Sequence, residues 1–433
     1  MSRFGLVEYG APVSIVNELA AAMGRGNADA ARYLLDAGGR IARQVGLKKS
    51  PIEIAGSTAS SSRVAGLLHL GRSCELEIVP KFLGSHAGGS GWREDFFFLA
   101  MLSKHGHILN SDRIRAQSGE ENDLDLLLAR AISDMYWERH HRPIRAYKRT
   151  REQDFFLEGE VDPLDLRFPD AAGYPQEVIR FSRANRFNAA IHAASRITQR
   201  HVRKPSAIVA LSRVQRHLGS QPTVGHGHHM RLTVPGRARG WQALTDLSVD
   251  VVNGLGVGFN EGAGRAPGFM VATWQLWQDL LTLGLRLGFG SSSVRSEVPF
   301  SLGKRLRANG SEGRLNVRPD VTVSSNGFRF HVDAKYKGRI DRGKICAAEA
   351  DVYEAMAFSA ASGGLPVVLA YPQLASTPAD PVGTIRIVER VQVPGSGPIL
   401  AVTVEVRGIS RRGSFSRFIN EMRGALVDTL QGA

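Results

Sequence analysis

The sequence from residue 318 to residue 337 reads Arg318-Pro-Asp-Val-Thr-Val-Ser-Ser-Asn-Gly-Phe-Arg-Phe-His-Val-Asp-Ala-Lys-Tyr-Lys337. Two runs rich in Val, Thr and Phe predict β-strands. The Asn326-Gly327 pair between them predicts a hairpin with a two-residue turn, because both central residues of such a turn need a positive φ. In that register Ser325 faces Phe328, and every earlier residue faces the one equally far beyond the turn.

The predicted register brings two carboxylates together. Asp320 lies directly opposite Asp333, with an expected Cβ separation of about 4.5–5.5 Å. Lys335 shares their face, because side chains alternate along a strand. The carboxylates repel each other, and a bound Mg²⁺ or Mn²⁺ would offset that repulsion. Asp320 and Asp333 are therefore candidate metal ligands, and Lys335 a candidate group for positioning or deprotonating water in phosphodiester hydrolysis. A surface hairpin with incidental charges is the alternative.

The composition narrows the class of protein. The chain has 433 residues, of which 43% are hydrophobic and 22% are charged, as in ordinary globular proteins. No apolar stretch reaches the roughly 20 residues that span a bilayer, and the first residues do not resemble a secretory signal. Cys74 and Cys346 are the two cysteines, which argues against a disulfide framework and a four-cysteine zinc site. We therefore expect a cytoplasmic protein with no membrane partner.

The charge balance points to a polyanionic partner. Lys plus Arg number 55 and Asp plus Glu number 41, which gives a formal net charge of +14. A basic globular protein without a membrane segment is typical of nucleic-acid binding, although solubility alone is a second explanation. The sequence contains no Walker-type nucleotide-binding loop, so an energy-driven function would need a partner protein.

Hydrophobic periodicity predicts a mixed α/β (α+β) protein in three parts. Residues 1–165 form a mixed α+β region, residues 166–265 a mainly helical region, and residues 266–433 an α/β domain that contains the hairpin. The glycine-rich residues 254–268 are expected to form a loop or a domain boundary. The apolar run Phe269–Leu287 predicts a helix that leads into the hairpin.

These residues resemble the core of the PD-(D/E)XK nuclease superfamily, with Pro319-Asp320 and Asp333-Ala-Lys335. The chain is more closely similar to the McrC-like nuclease subunits of modification-dependent, McrBC-type restriction systems. Segments that carry this resemblance are collinear over most of the chain: Leu6–Gly10, Leu76–Lys81, Glu158–Asp162, Phe187-Asn188, Pro267–Met270, Asp333–Lys337, Asp351–Phe358 and Tyr371-Pro372.

The resemblance implies a fold, an activity and partners. It implies a PD-(D/E)XK restriction-endonuclease-like domain over residues 266–433 that cleaves DNA with Mg²⁺ (or Mn²⁺). It also implies that residues 1–165 dock an AAA+ GTPase of the McrB type, and that the role is defence against phage in a bacterial cytoplasm. Residues 166–265 are a possible DNA-contact region. A different AAA+ ATPase or a helicase is the alternative partner.

Two positions depart from the family pattern. The family usually carries a glutamate on the helix before the hairpin; here Gln275 fits that position best, Gln278 is second, and Asp279 fits only if the helix is rotated. Gln275 is thus a candidate metal ligand that supplies no charge. On the later helix, Glu354 occupies a position where the family tends to have Gln, and it is a candidate catalytic group or a surface residue. A catalytically weak, DNA-binding regulatory subunit is therefore the alternative function.

Candidate DNA contacts lie beside the proposed site. Arg314 and Arg318 precede Asp320, and Lys337 follows Lys335, so all three are predicted to bind the DNA backbone. His226 and His228 would share a strand face and could bind a transition metal, but the surrounding glycines favour a flexible loop.

Overall fold

A computed structural model provides the fold of the chain. It describes residues 2–70, 74–84, 91–105, 124–168, 170–223, 232–252, 269–325, 327–341 and 344–431. The glycine-rich residues 254–268, His226, His228 and Asn326 lie outside these described residues, so the predictions made for them stay predictions. No helix among the described residues is long and apolar enough to span a membrane.

The described residues form helices and strands that we number in chain order. The helices are α1 Val16–Met23, α2 Asn27–Gln44, α3 Trp92–His105, α4 Leu124–Arg139, α5 Arg186–Gln199, α6 Pro205–Leu218, α7 Gln242–Val252, α8 Thr273–Phe289, α9 Glu349–Ala361 and α10 Ser414–Gln431. The strands are β1 Ser2–Val7, β2 Val13–Ser14, β3 Ile52–Ala55, β4 Thr58–Ser61, β5 Val64–Leu70, β6 Cys74–Val79, β7 Ala146–Asp154, β8 Glu160–Val161, β9 Tyr174–Ser182, β10 Phe269–Ala272, β11 Val294–Ser296, β12 Phe300–Leu306, β13 Glu312–Val317, β14 Val321–Ser325, β15 Phe328–Ala334, β16 Arg339–Asp341, β17 Lys344–Cys346, β18 Val367–Pro372, β19 Ile385–Val391 and β20 Ile399–Val404.

The chain forms two compact units. One contains residues 1–127 and 254–433, and the other contains residues 128–253. The boundaries of these two units differ from those of the three predicted ranges. Most of residues 1–165 belong to the same unit as residues 266–433. The docking, DNA-contact and nuclease roles assigned to those ranges stay predictions. The mixed α/β character itself is confirmed.

A six-stranded mixed sheet with the order β11-β14-β15-β18-β20-β19 organises the C-terminal part of the first unit. Strands β15, β18 and β20 are parallel, and the other pairs are antiparallel. Strand β18, Val367–Pro372, is buried at every position. Such an unbroken apolar run is typical of a strand that is covered on both faces.

Helices cover this sheet. On α8, a stripe that includes Leu276, Leu280 and Leu281 is buried, and α8 contacts β14, β15 and α10. On α9, Ala355 and Phe358 pack into a separate cluster with alternate residues of β18 and β20. The sequence thus builds a layered α/β core in which the start of β14 and the carboxyl-terminal end of β15 position the site described below.

The N-terminal part of the same unit is a four-stranded sheet with the order β1-β6-β5-β10. Strand β10 pairs with β5 from Phe269 to Ala272, so the predicted start of the helix at Phe269 is wrong, and α8 begins at Thr273. A short apolar run has no periodicity that separates strand from helix, and pairing with a distant strand decided the outcome here.

The second unit combines helices α5, α6 and α7 with the sheet β7-β9-β8. Strand β9, Tyr174–Ser182, lies inside the range predicted as mainly helical, so that range has more strand than expected. Asn185 caps α5, because its side chain accepts hydrogen bonds from the main-chain N–H groups of Phe187 and Asn188.

Candidate active site

The predicted hairpin and its register are confirmed. Strands β14 and β15 pair from Ser325 opposite Phe328 to Val321 opposite Val332. Gly327 has a φ of 87°, as the turn requires. One residue beyond the last pair, the chain places Asp320 beside Asp333.

The two carboxyl groups contact each other in a largely buried position. Asp333 is only 4% exposed, and the Asp320 carboxyl hydrogen bonds to it. Burial, followed by the neighbouring charge of Asp333, raises the pKa of Asp320 to about 7. Burial also raises the pKa of Asp333. Two carboxylates this close do not both ionise readily, so the pair tends to share one proton near neutral pH.

Asp320 is held in place by groups from two directions. The main-chain N–H of Ala334 donates to its Oδ2 at 2.8 Å, and Gln278 Nε2 donates to its Oδ1 at 3.1 Å. The Ala334 bond ties the carboxylate to the end of β15. The Gln278 bond ties it to α8, so both elements fix the orientation of the side chain.

The Lys335 ammonium lies among three carboxylates. Its Nζ is 2.7 Å from Asp333 Oδ2, 2.5 Å from Glu354 Oε2 and 3.7 Å from Asp351 Oδ1. Burial lowers the pKa of Lys335, but Asp333 and Glu354 together outweigh burial and hold that pKa above its ordinary value. Lys335 therefore stays protonated at neutral pH, which suits orienting an anion or a water molecule and not accepting a proton.

On α8, the residue that contacts the carboxyl pair is Gln278 and not Gln275. Gln275 is exposed, whereas Gln278, the second choice, is half-buried and contacts Asp320. Asp279 hydrogen bonds with Ser103 on α3 instead of contacting the pair. The family pattern favoured Gln275, and the packing of α8 against the hairpin turns Gln278 toward Asp320 instead.

Helix α9 contributes two acidic side chains. Glu354 contacts the Lys335 ammonium, so this candidate residue lies beside the carboxyl pair. Asp351 was not singled out by sequence reasoning, although it lies one turn before Glu354 in the segment that resembles the family. Its Oδ2 accepts a hydrogen bond of 2.7 Å from the Tyr371 hydroxyl. Spacing of i and i+3 on one helix face was the signal that could have found it.

The predicted DNA-contacting residues lie in different surroundings. Arg314, on β13, and Arg318, two residues before Asp320, are both exposed. Lys337 is exposed as well, and its Nζ lies 4.3 Å from the centroid of the Tyr9 ring. Lys337 therefore joins the N-terminal part of the unit, while Lys335 joins the carboxylates.

A second buried carboxylate, Glu8, adjoins the same segment. Its oxygens accept hydrogen bonds from the hydroxyls of Thr273, at 2.5 Å, and Tyr336. Lys81 Nζ donates to the main-chain oxygen of Tyr336 at 2.5 Å. Burial raises the pKa of Glu8 to about 7. Sequence reasoning missed this network, because its members lie in segments of the chain that are far apart in sequence.

The donor set at the hairpin consists of two carboxylates and one amide. Within the described ranges, no group of three or more His, Cys, Asp or Glu side chains is arranged to hold a metal ion. A cation at Asp320 and Asp333 would therefore have two anionic ligands from the chain, with Gln278 as the neighbouring polar group.

Comparison with known proteins gives a consistent result. The family described as McrBC 5-methylcytosine restriction system component matches residues 60–372, which is well over half of the chain. No curated protein matches the sequence.

Comparison with solved structures gives two matches, of which the first is similar in fold. A chain of the Thermococcus gammatolerans assembly of McrB AAA+ hexamers with bound McrC matches at 14% identity, with a TM-score of 0.69, over 99% of this chain and 100% of that one. A chain of the Thermococcus gammatolerans McrBC complex matches at 13% identity, with a TM-score of 0.49, over 66% of this chain and 88% of that one. The extent of the family match decides the assignment: the chain belongs to the family of McrBC 5-methylcytosine restriction system components.

Proposed function

We propose that this chain is the DNA endonuclease subunit of a McrBC-like restriction system and that residues 266–433 form a PD-(D/E)XK nuclease domain. One observation carries the proposal: Asp320 and Asp333 meet at the end of a hairpin, with the Lys335 ammonium on the same face. This is the residue set that metal-dependent phosphodiester hydrolysis needs.

The carboxyl pair supports binding of Mg²⁺ or Mn²⁺. Two largely buried carboxyl groups share a proton that a hard divalent cation would replace, since carboxylate oxygens are the ligands such cations prefer. Asp320 and Asp333 would hold the cation, and rotation of the Gln278 amide would present its oxygen as well. When bound, the cation would stabilise negative charge that develops on the phosphodiester.

The chain's own residues would do the remaining work. Lys335, which stays protonated, would orient the attacking water and the scissile phosphate. Glu354 and Asp351 would hold the Lys335 ammonium in place, because both carboxylates lie within 4 Å of it. The Ala334 N–H would keep Asp320 facing the cation.

We propose that the partner is an AAA+ GTPase hexamer of the McrB type. The similar Thermococcus gammatolerans assembly contains McrB AAA+ hexamers with bound McrC. The second unit leaves large apolar side chains exposed, including Phe155, Phe156, Leu164 and Phe168. Exposed apolar residues of this size are typical of protein-binding surfaces. The first three lie within the range 1–165 that the sequence predicts to dock the partner.

A regulatory DNA-binding subunit is the second candidate function. The specific observation that favours it is the neutral Gln278 at the third corner of the site, in place of a third acidic ligand. With two anionic ligands, metal affinity would be lower than with three.

Cleavage of plasmid DNA separates the two functions. The full chain is mixed with its partner hexamer, GTP and Mg²⁺, and compared with Asp333→Ala under the same conditions. If the wild type cleaves DNA under these conditions and Asp333→Ala does not, the nuclease function is supported. If neither protein cuts DNA while both bind the partner and stimulate its nucleotide hydrolysis, the regulatory function is the correct one.

A further inference from the structure

A polar cleft of about 390 Å³ lies beside the candidate active site, in the same compact unit. Its lining includes Lys49, Arg63 and Lys337, together with the hydroxyl-bearing residues Tyr9, Ser60 and Ser62. We call it the basic cleft. Four parts of the chain converge on it: residues 9–10 after β1, residues 49–53 at the start of β3, residues 60–63 at the end of β4, and Lys337 after β15.

The basic cleft carries an excess of positive charge. Three cations line it, against one acidic residue, Glu53. Among the described residues, none of the three cations lies within salt-bridge distance of an acidic side chain. Lys81 lies nearby, outside the lining: burial lowers its pKa, the charge of Glu8 partly offsets that effect, and the charge of Lys337 lowers the pKa further. Uncompensated cations and several hydroxyl groups in a concave surface favour an anionic ligand.

The backbone at the cleft is strained. Tyr9 has a φ of 56° and Arg63 a φ of 66°, values that residues other than glycine rarely adopt. The Tyr9 N–H donates to Ser61 oxygen at 2.8 Å, and Arg63 hydrogen bonds with the Tyr9 hydroxyl. Strain that is held in place by such bonds is found mainly where side chains are positioned for a function. Here it aims Tyr9 and Arg63 at the cleft that Lys337 also lines.

The position of the cleft identifies the anion. Lys337 is two residues from Lys335, so their Cα atoms are at most about 7 Å apart. Measured along the helix axis of duplex DNA, about 7 Å corresponds to about two base-pair steps. Tyr336 lies between them and is buried against Glu8, whereas Lys337 is exposed and Lys335 is partly exposed at the carboxylates.

We infer that the basic cleft binds backbone phosphate groups of the DNA strand whose scissile phosphate lies at Asp320 and Asp333. The inference rests on the proposed function, because it takes the carboxylate pair as the point of cleavage. It adds Lys49, Arg63 and the cleft hydroxyls to Lys337, the one residue here that the sequence predicted to contact DNA. Recognition through phosphates is independent of base sequence, so the cleft would set the register of the strand and not its identity.

The test compares Lys49→Gln/Lys337→Gln with Lys48→Gln, in the full chain carrying Asp333→Asn to prevent cleavage. Lys48 is exposed next to Lys49 but outside the cleft lining. Affinity for a labelled DNA duplex is measured between 50 and 200 mM salt, as is customary for such titrations. We expect the double variant to bind about tenfold more weakly and its salt slope to fall by about one to two, while Lys48→Gln matches the parent. Thermal unfolding of each variant shows that it is folded.

Methylphosphonate substitution, which removes the charge of one phosphate, refines the test. We expect a neutral linkage about two nucleotides from the cleavage position to weaken binding by the parent protein but not by the double variant. Equal affinities and slopes for the double variant and Lys48→Gln would overturn the cleft. If the double variant binds DNA more weakly but the wild-type chain with its partner cleaves no DNA, the cleft still binds DNA and the proposed nuclease function is wrong.

Discussion

Asp320 and Glu8 are both buried carboxyl groups whose pKa is raised to about 7, yet their surroundings differ. Glu8 accepts hydrogen bonds from Thr273 and Tyr336, and the positive charge of Lys81 favours its ionised form. Asp320 faces another carboxyl group, Asp333, that raises its pKa further. The difference teaches that burial alone does not mark a functional carboxylate. A like charge beside it is the stronger indication, because the repulsion must be relieved by a proton, a cation or another ligand.

The largest expected effect is on DNA cleavage. If Asp320 holds the cation as proposed, Asp320→Asn should reduce Mg²⁺-dependent cleavage on the order of 1000-fold or more, because it would remove one ligand and its charge. Glu8→Gln should keep cleavage within about tenfold of wild type, because the amide oxygen still accepts a bond from one of the two hydroxyls and the amide NH2 can donate to the other hydroxyl oxygen. Initial rates on plasmid DNA measure both. Similar losses of cleavage in the two variants would show that Asp320 and Glu8 do not differ in their importance for cleavage.

The next effect is on stability. Mg²⁺ or Mn²⁺ at about 100 times its dissociation constant should stabilise the wild-type chain by about 2.7 kcal/mol. Asp320→Asn should lose that stabilisation, whereas Glu8→Gln should retain it, since the cation binds only the unrelieved pair. Thermal unfolding with and without the cation measures this. An equal shift in all three proteins would place the bound cation elsewhere.

A smaller effect is expected at the third corner of the site. Gln278→Glu should lower the Mg²⁺ concentration that gives half-maximal cleavage by about tenfold, because a third carboxylate contacts the cation. The matched control is Gln275→Glu, one turn earlier on α8. Because Gln275 is exposed, this variant should change the Mg²⁺ concentration for half-maximal cleavage little. Metal titrations of cleavage separate them. If Gln275→Glu has the larger effect, the family position is Gln275 as the sequence suggested.

The smallest effect concerns pH. Because the folded-state pKa of Glu8 exceeds its unfolded value, the folded chain binds this proton more tightly, and stability falls as pH rises from about 4.5 through 7. Glu8→Gln should therefore flatten the dependence of unfolding free energy on pH in that window, by up to about 1.4 kcal/mol per pH unit. Urea unfolding at pH 5, 6 and 7 measures it. An unchanged slope would mean that Glu8 remains ionised in the fold.

The hairpin could be predicted from sequence because its register depends only on residues close together in the chain. An Asn-Gly turn sets the register, and alternation along each strand places Asp320, Asp333 and Lys335 on one face. The start of α8 was not predicted correctly, because Phe269–Ala272 pairs with β5, a strand about two hundred residues earlier. The family pattern favoured Gln275, so the contact between Gln278 and Asp320 became visible only from the packing of α8.

From sequence alone follow the mixed α/β class, the basic charge and the opposed aspartates, since each depends on composition or on neighbours within one turn. Folding in three dimensions added the Gln278 contact, the carboxylate cage around Lys335, the Glu8 network and the basic cleft. The physical reason is range: these contacts join residues tens to hundreds of positions apart, and their formation depends on how helices and sheets pack. No local pattern of hydrophobicity or charge encodes that packing.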